Sequence, residues 1–340
     1  MGLQIGDIVS KNQIEFSNLK GKIIAVDAFN AIYQFLTTIR QPDGTPLKDS
    51  EGNVTSHLSG LFYRNMKLLL EGIKLIYVFD GEAPELKGKT KEKRMEAKKI
   101  AKEKYEQAVV DEDIEAMGKY ARSEVHLDER KISESKELLE AMGVAIIQAP
   151  SEGEAQASYM VYKDKNIYAV ASQDYDCLMF KAHLLIQNLS MSRKRKTLSG
   201  YKEVFPQVIK LSGVLSELEI NQEQLICIGI LSGTDYNPGG VKGLGPKKSL
   251  KLVKEQVTKE KIFQSVEDNE KLSLDFDWKA IYEEIENPNV DKDFKIEFPN
   301  VDKDKIKEIL MKYEFSESRI DNQLNKFDDI KKAKEQTTLF

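Results

Sequence analysis

Four β-rich apolar runs, each leading into an acidic residue, constrain this chain more than any other feature. Residues 22–26 run into Asp27, 75–79 into Asp80, 144–149 reach Glu152 within three positions, and 167–172 reach Asp174. Near-continuous hydrophobicity suits strands covered on both faces, and the intervening stretches 57–70 and 132–142 carry helical spacing. The pattern predicts an α/β fold with a mainly parallel central sheet flanked by helices. Residues 184–187 read as a fifth strand. Only 56 of the 340 residues are acidic, so acids at four strand ends are uncommon by chance. Parallel strands deliver their carboxyl ends to one edge, where open α/β sheets bind ligands, and the acids are expected to converge there.

Two of these positions are doubled at i, i+2, giving Glu152 with Glu154 and Asp174 with Asp176, and Asp235 follows the Gly233-Thr234 turn. Seven crowded carboxylates raise one another's pKa unless cations compensate them. His57, His126 and His183 are isolated, and Cys177 and Cys227 sit in apolar runs that suit buried reduced thiols. The implied ions are therefore hard and oxygen-ligated, Mg²⁺ with Mn²⁺ as a substitute. Seven acids suggest two such ions about 4 Å apart, the arrangement that hydrolyses phosphodiesters. Plainer readings stand beside this one. Ser151 with Glu154 spells a capping box, Asp27 could be a simple N-cap, and Asp80-Gly81 and Asp235-Tyr236 are ordinary turn signals. A DxD phosphatase is excluded because Ala28 and Phe29 follow Asp27, and no GxxxxGK[ST] or GxSxG motif exists.

Net charge is −5, yet the distribution is polarised. After Asp80 the connection to the next strand takes about sixty residues, far more than a βα unit needs. Within this insertion, residues 87–104 hold nine basic and three acidic residues. Few large apolar side chains are present to clamp its helices, which are expected to be mobile without a ligand. Gly243-Leu244-Gly245-Pro246-Lys247-Lys248 forms a second basic element, a GhGPxK-like hairpin whose backbone can approach a phosphate. The run 193–196 is a third. Cationic grips around an anionic, metal-filled edge fit DNA. No apolar stretch approaches the roughly 20 residues of a bilayer span and no leader pattern opens the chain, so no membrane partner and a reducing, intracellular, cytoplasmic setting are expected.

The sequence divides into an α/β core over 1–216, including a basic insertion at about 81–131, a helical lobe over 217–328, and a flexible tail over 329–340. Stretches 284–293 and 298–304 read as loops.

The motifs resemble those of the flap endonuclease family, structure-specific 5′ nucleases of replication and repair, in the short archaeal-type form. The likeness runs from the MG start through VDAFNAIYQFL, TSHLSGLFYR, YVFDGEAPELK, APSEGEAQA, SQDYDCL and LSGTDY to GLGPKKSL. It implies that Asp80, Glu152 and Glu154 lie near one ion and Glu154, Asp174 and Asp176 near the other, with Asp27 and Asp235 acting partly through water. It further implies that the insertion is a helical arch and the lobe a DNA-binding one packed on the core, and that Lys87 and Arg94, seven residues apart and so on one helical face, reach the scissile phosphate. Tyr33 would stack on a base, Gly2 would pack near the site, and Gly243, Gly245, Lys247 and Lys248 would grip duplex phosphates in a helix-hairpin-helix element that also holds a monovalent cation. The implied reaction cuts branched DNA near a 5′-flap junction, leaving 5′-phosphate and 3′-hydroxyl, with 5′–3′ exonuclease action on nicked or gapped DNA. Other branches of the superfamily, a junction resolvase or repair nuclease, are alternatives, as is a catalytically silent DNA- or clamp-binding scaffold. Gly153 departs from the family's usual SEAEA. Gln336, Leu339 and Phe340 match a sliding-clamp motif that lacks the terminal aromatic pair, and a monomer is expected.

The three basic elements generate a first prediction. DNA association should weaken steeply as salt rises, by counterion release, and a flat salt dependence of the Kd would remove these elements from the binding surface.

Overall fold

The strand register explains why four acids share one edge. The computed structural model describes residues 3–41, 44–88, 95–96, 99–100, 103–104, 126–189, 194–197 and 200–337. In chain order it runs β1 (Asn12–Gln13), β2 (Ile23–Asp27), α1 (Ala28–Thr38), α2 (Ser56–Leu70), β3 (Lys74–Phe79), a short turn of 3-10 helix (Glu85–Lys87), α3 (Glu129–Ala141), β4 (Ala145–Gln148), α4 (Gly153–Lys163), β5 (Ile167–Ala171), α5 (Asp176–Met179), β6 (Leu184–Gln187), β7 (Lys194–Thr197), β8 (Gly200–Glu203) and β9 (Gln207–Lys210). Helices α6 (Leu211–Leu218), α7 (Gln222–Ser232), α8 (Pro246–Gln256), α9 (Lys259–Glu267), α10 (Trp278–Glu286), α11 (Lys303–Lys312) and α12 (Glu317–Thr337) follow.

The seven-stranded sheet has the order β1-β9-β6-β5-β2-β3-β4. Strands β6, β5, β2, β3 and β4 are parallel, while β9 joins β6 and β1 joins β9 antiparallel. The sheet is thus mixed and mostly parallel, and its two antiparallel strands, like the β7–β8 hairpin, are absent from the sequence expectation. They are two to four residues long and offer no apolar run to find. The central strand β2 pairs with β3 on one side and β5 on the other, so Asp27, Asp80 and Asp174 emerge from three adjacent strands.

Helix α1 buries Ala28, Ala31, Ile32, Phe35 and Leu36, the i, i+3, i+4, i+7, i+8 stripe of an amphipathic helix. Asp27 caps its start by accepting the Asn30 N–H at 3.1 Å. The Arg40 guanidinium closes its end by donating to the carbonyls of Leu36 and Thr37. One core cluster covers the sheet face bearing Ala25, Ile76 and Val170 and continues without a break into α7 and α10. The other covers the face bearing Ile24, Val26 and Tyr77, with α1–α3 and α11–α12 packed on it. A buried polar tie joins that second layer: His57 meets Glu134 at 2.9 Å, and the Tyr313 hydroxyl donates to the other Glu134 oxygen at 2.6 Å.

Three expectations need correction. Trp278, Ile281, Tyr282 and Ile285 carry a helical stripe through Glu286, so the loop expected over 284–293 starts only at Asn287. The tail expected beyond Asp328 continues as helix to Thr337, consistent with the propensity of its Lys, Glu, Ala and Gln residues. The capping box is not made: Glu152 is the N-cap of α4, and the Ser151 hydroxyl donates to the Glu82 carbonyl at 3.0 Å.

Residues 287–302 form a strap from one layer to the other. Buried Gln156 on α4 donates to the Asp291 carbonyl (3.0 Å) and accepts its N–H (2.7 Å), and the Asp302 N–H reaches the Ala141 carbonyl (2.8 Å). Replacing Gln156 by Leu keeps the volume and orphans both Asp291 backbone groups, which should cost about 2 kcal/mol in denaturant unfolding and open the strap to limited proteolysis. Unchanged stability would show that the strap is held elsewhere.

Candidate metal centre and nucleic-acid interface

The carboxyl edge of the sheet brings Asp27, Asp80, Glu152, Glu154, Asp174, Asp176 and Asp235 within electrostatic reach of one another. Burial raises the Asp27 carboxyl to about 7, helped by Asp80 and Asp174 and opposed by the Asn30 N–H. Asp176 is pushed to about 7 by burial, Asp174 and Asp235, against the Leu3 N–H and Lys87. Glu154 is raised by burial and by Asp27, Asp174 and Asp176. Asp80 is raised by burial and eased by the Gly153 N–H and Lys87.

Each acid is held by a neighbour on another element. The Gly153 N–H donates to Asp80 Oδ1 at 2.7 Å, and a Cβ at Gly153 would lie 2.6 Å from that oxygen, so a larger residue here would require the Asp80 carboxylate to shift. Gly81 is equally constrained, since a Cβ there would lie 2.2 Å from the Ala149 carbonyl oxygen. The Ser172 hydroxyl donates to Glu154 Oε1 at 2.7 Å, lies 3.4 Å from Asp27 Oδ2 and accepts the Asp174 N–H at 3.2 Å. The Asn30 amide donates to Asp174 Oδ2 at 3.0 Å, while the Leu3 N–H donates to Asp176 Oδ1 at 2.7 Å. Lys87 Nζ donates to Glu152 Oε1 and lies 3.9 Å from Asp235 Oδ2, and the Tyr236 hydroxyl donates to Glu152 Oε2. Asn30, Ser172, Tyr236 and the Leu3 N–H were not singled out by sequence reasoning, although the three side chains stand inside the motifs DAFN, SQDYD and GTDY.

Among the described residues, no group of three or more His, Cys, Asp or Glu side chains is arranged, as placed, to hold a metal ion. The donor set nonetheless fits hard divalent ions. It is all oxygen, it is uncompensated enough to hold protons near neutrality, and it already accommodates one positive charge, the Lys87 ammonium. The Cys177 thiol, 3.9 Å from Glu154 Oε1, is kept protonated by burial and the acids around it.

The other predicted positions fall as follows. Tyr33 is half-buried on α1. Gly243, at φ 92°, and Gly245, the N-cap of α8, form the hairpin between α7 and α8, where Lys247 and Lys248 are exposed. With Asp7, Ser232 and Val241 these residues line an open groove of about 460 Å³. Gly2, Arg94, Leu339 and Phe340 lie outside the described residues, as does most of the expected arch, while Gln336 belongs to the backbone of α12. Both cysteines are buried and unbridged, and among the described residues no helix is long and apolar enough to cross a membrane.

The XPG N-terminal domain matches residues 3–101 and the XPG I-region residues 143–235. The flap endonuclease 1 of Thermococcus onnurineus is 48% identical, covering 100% of this chain and 98% of that protein. That of Pyrococcus furiosus is also 48% identical, with the same coverage. Among solved structures, flap endonuclease-1 from Methanococcus jannaschii superposes with a TM-score of 0.75 at 38% identity, over 98% of this chain and 100% of that one. The catalytic core of Rad2 in complex with DNA substrate shares the fold, with a TM-score of 0.70 at 22% identity over 92% of this chain and 95% of that one.

The raised carboxyls give a signed prediction. Asp27 and Asp176 keep protons that an unfolded chain releases near the ordinary 3.8. Between about pH 4 and 7 the unfolded state therefore binds fewer protons, so these groups make the metal-free protein less stable as pH rises. Mg²⁺ offsets the exposed repulsion, and its Tm increment should be larger at about pH 8 than at about pH 5. An increment independent of pH would contradict the shared site.

Proposed function

Since the chain belongs to the flap endonuclease 1 family, we propose that it hydrolyses one phosphodiester of branched DNA near a duplex/5′-flap junction, leaving 5′-phosphate and 3′-hydroxyl. It acts likewise as a 5′–3′ exonuclease on nicked or gapped DNA. The observation that carries this reading is the convergence of seven carboxylates with Lys87 at one sheet edge.

In this reading Asp80, Glu152 and Glu154 hold one divalent ion and Glu154, Asp174 and Asp176 a second, with Asp27 and Asp235 acting partly through water. Bound there, Mg²⁺ supplies Lewis-acid polarisation of the phosphate and activation of a water. The chain's own residues do the rest. Asn30 and Ser172 fix the oxygens of Asp174 and Glu154, so the pocket meets the phosphate already oriented. Lys87 stabilises charge developing on the phosphate oxygens, a role the resemblance also gives to Arg94. Tyr33 offers a ring to a base beside the cleaved bond, and Gly2 is assigned to DNA binding by the family resemblance alone. The Gly243–Lys248 hairpin, a helix-hairpin-helix element between α7 and α8, grips duplex phosphates and holds a monovalent cation. Its two lysines open a helix against the dipole preference, which an anion relieves.

Residues 1–216 serve as the nuclease core with an arch at about 81–131, 217–328 as the DNA-binding lobe, and Gln336, Leu339 and Phe340 as a partial sliding-clamp contact. The protein works as an intracellular monomer.

Asp174→Ala should retain flap binding in EDTA and lose at least about a hundredfold in single-turnover cleavage with Mg²⁺. Lys87→Ala should lower kcat by about a hundredfold with a much smaller change in Kd. Wild-type turnover persisting after full chelation, or a Lys87→Ala enzyme at full kcat, would refute these roles.

A further inference from the structure

The two oxygens of Glu152 are taken from opposite sides. Oε2 accepts the Tyr236 hydroxyl and Oε1 accepts the Lys87 ammonium, which also lies 3.9 Å from Asp235 Oδ2 and 5.0 Å from the centre of the Tyr236 ring. The three residues come from separate elements: Glu152 from the start of α4, Lys87 from the end of the 3-10 turn after β3, and Tyr236 from the turn after α7. Tyr236 is itself set rigidly. Its N–H donates to Thr234 Oγ1 (3.1 Å), that hydroxyl donates to Asn237 Oδ1 (2.7 Å), and the Asn237 amide donates to the Ile230 carbonyl (2.7 Å). Tyr236, Thr234 and Asn237 are all buried.

Resting on the function proposed above, we propose that Tyr236 positions Glu152 and Lys87 for an exchange of counter-ions: the lysine neutralises Glu152 until a divalent cation takes its oxygen and frees the ammonium for the phosphate. The geometry assigns each part. A phenol that donates to Oε2 leaves Oε1 as the oxygen that changes partner, so an ion arriving there finds the carboxylate already oriented. The face of the same ring attracts the displaced ammonium and keeps it beside the site instead of releasing it to solvent. Lys87 has side-chain exposure of 22 % against 13 % for Glu152, so the lysine is the partner with room to move. One residue thereby links ion binding to the availability of the cation that meets the substrate.

The test counts Mn²⁺ bound to DNA-free protein by electron paramagnetic resonance. Tyr236→Phe keeps the ring and its packing but loses the hydroxyl, and should weaken Mn²⁺ binding about tenfold. In flap cleavage the same variant should raise the half-saturating Mg²⁺ concentration by more than it lowers kcat. Lys87→Met, at a partly exposed position and with its fold checked by circular dichroism, should strengthen Mn²⁺ binding because it removes the competing cation. Unaltered Mn²⁺ affinity in Tyr236→Phe, alongside a wild type that cleaves flaps, would overturn the positioning role alone. Weaker Mn²⁺ binding by Lys87→Met would overturn the exchange. A wild-type protein that neither binds Mn²⁺ nor cleaves flap DNA would overturn the proposed function and this inference with it.

Discussion

Mutual repulsion among carboxylates at the carboxyl edge of a parallel sheet is the constraint around which this molecule is arranged. Like charges in a poorly solvated edge cannot all ionise unless donors or cations meet them. The fold answers with neutral donors first: three backbone N–H groups, from Leu3, Asn30 and Gly153, a serine hydroxyl, an asparagine amide and a tyrosine hydroxyl. These orient the oxygens without cancelling their charge. A site meant only for stability would remove the acids, because apolar packing is the cheaper solution for a buried edge. Keeping seven acids and orienting them with neutral donors is the arrangement of a site that expects its positive charge from outside the chain.

Rigidity of the surrounding layers makes that strain tolerable. The central strand β2 is hydrogen-bonded on both sides, and two apolar clusters clamp the sheet from above and below. The strap over 287–302 crosses between the layers by way of Gln156, one turn beyond Glu152 on the helix that presents Glu152 and Glu154. The same helix therefore carries two acids at its start and an anchor for the C-terminal segment in its first turns. Displacement of the strap would be felt at the site through α4, without any direct contact between them.

What the sequence reveals depends on how much each residue's role is local. Strand ends with acids are legible because a continuous apolar run fixes the strand and the next polar residue fixes its end, as at Val26-Asp27 and Phe79-Asp80. The α1 stripe is local in the same sense. The donors around the acids are not. Asn30 reads as an unremarkable helix residue until β5 brings Asp174 beside it, and Ser172 gains its role from Asp27 and Glu154, which arrive on other elements. Ser151 shows the converse: its capping pattern is local and correct in form, but tertiary contact with the Glu82 carbonyl wins the hydroxyl. Strands β1 and β9 escape because their stability lies in pairing, β9 with β6 and β1 with β9, which no short-range pattern records.

Charge distribution joins these threads. The chain places an excess of positive charge in the insertion after β3 and leaves the remainder strongly negative, then folds the first lysine of that insertion onto the acids. An acid-lined edge repels a phosphodiester as strongly as it attracts cations, so a substrate carrying negative charge can enter only if the local balance changes sign before it arrives. A lysine bound to the acids neutralises them but spends its own charge doing so. An ion of charge two in its place would neutralise more and return the ammonium to the substrate side, converting a stabilising internal contact into a binding one. The proximity of Lys87, Glu152, Asp235 and Tyr236 thus supplies a physical reason for the basic insertion to begin beside the carboxyl edge rather than anywhere else on the surface.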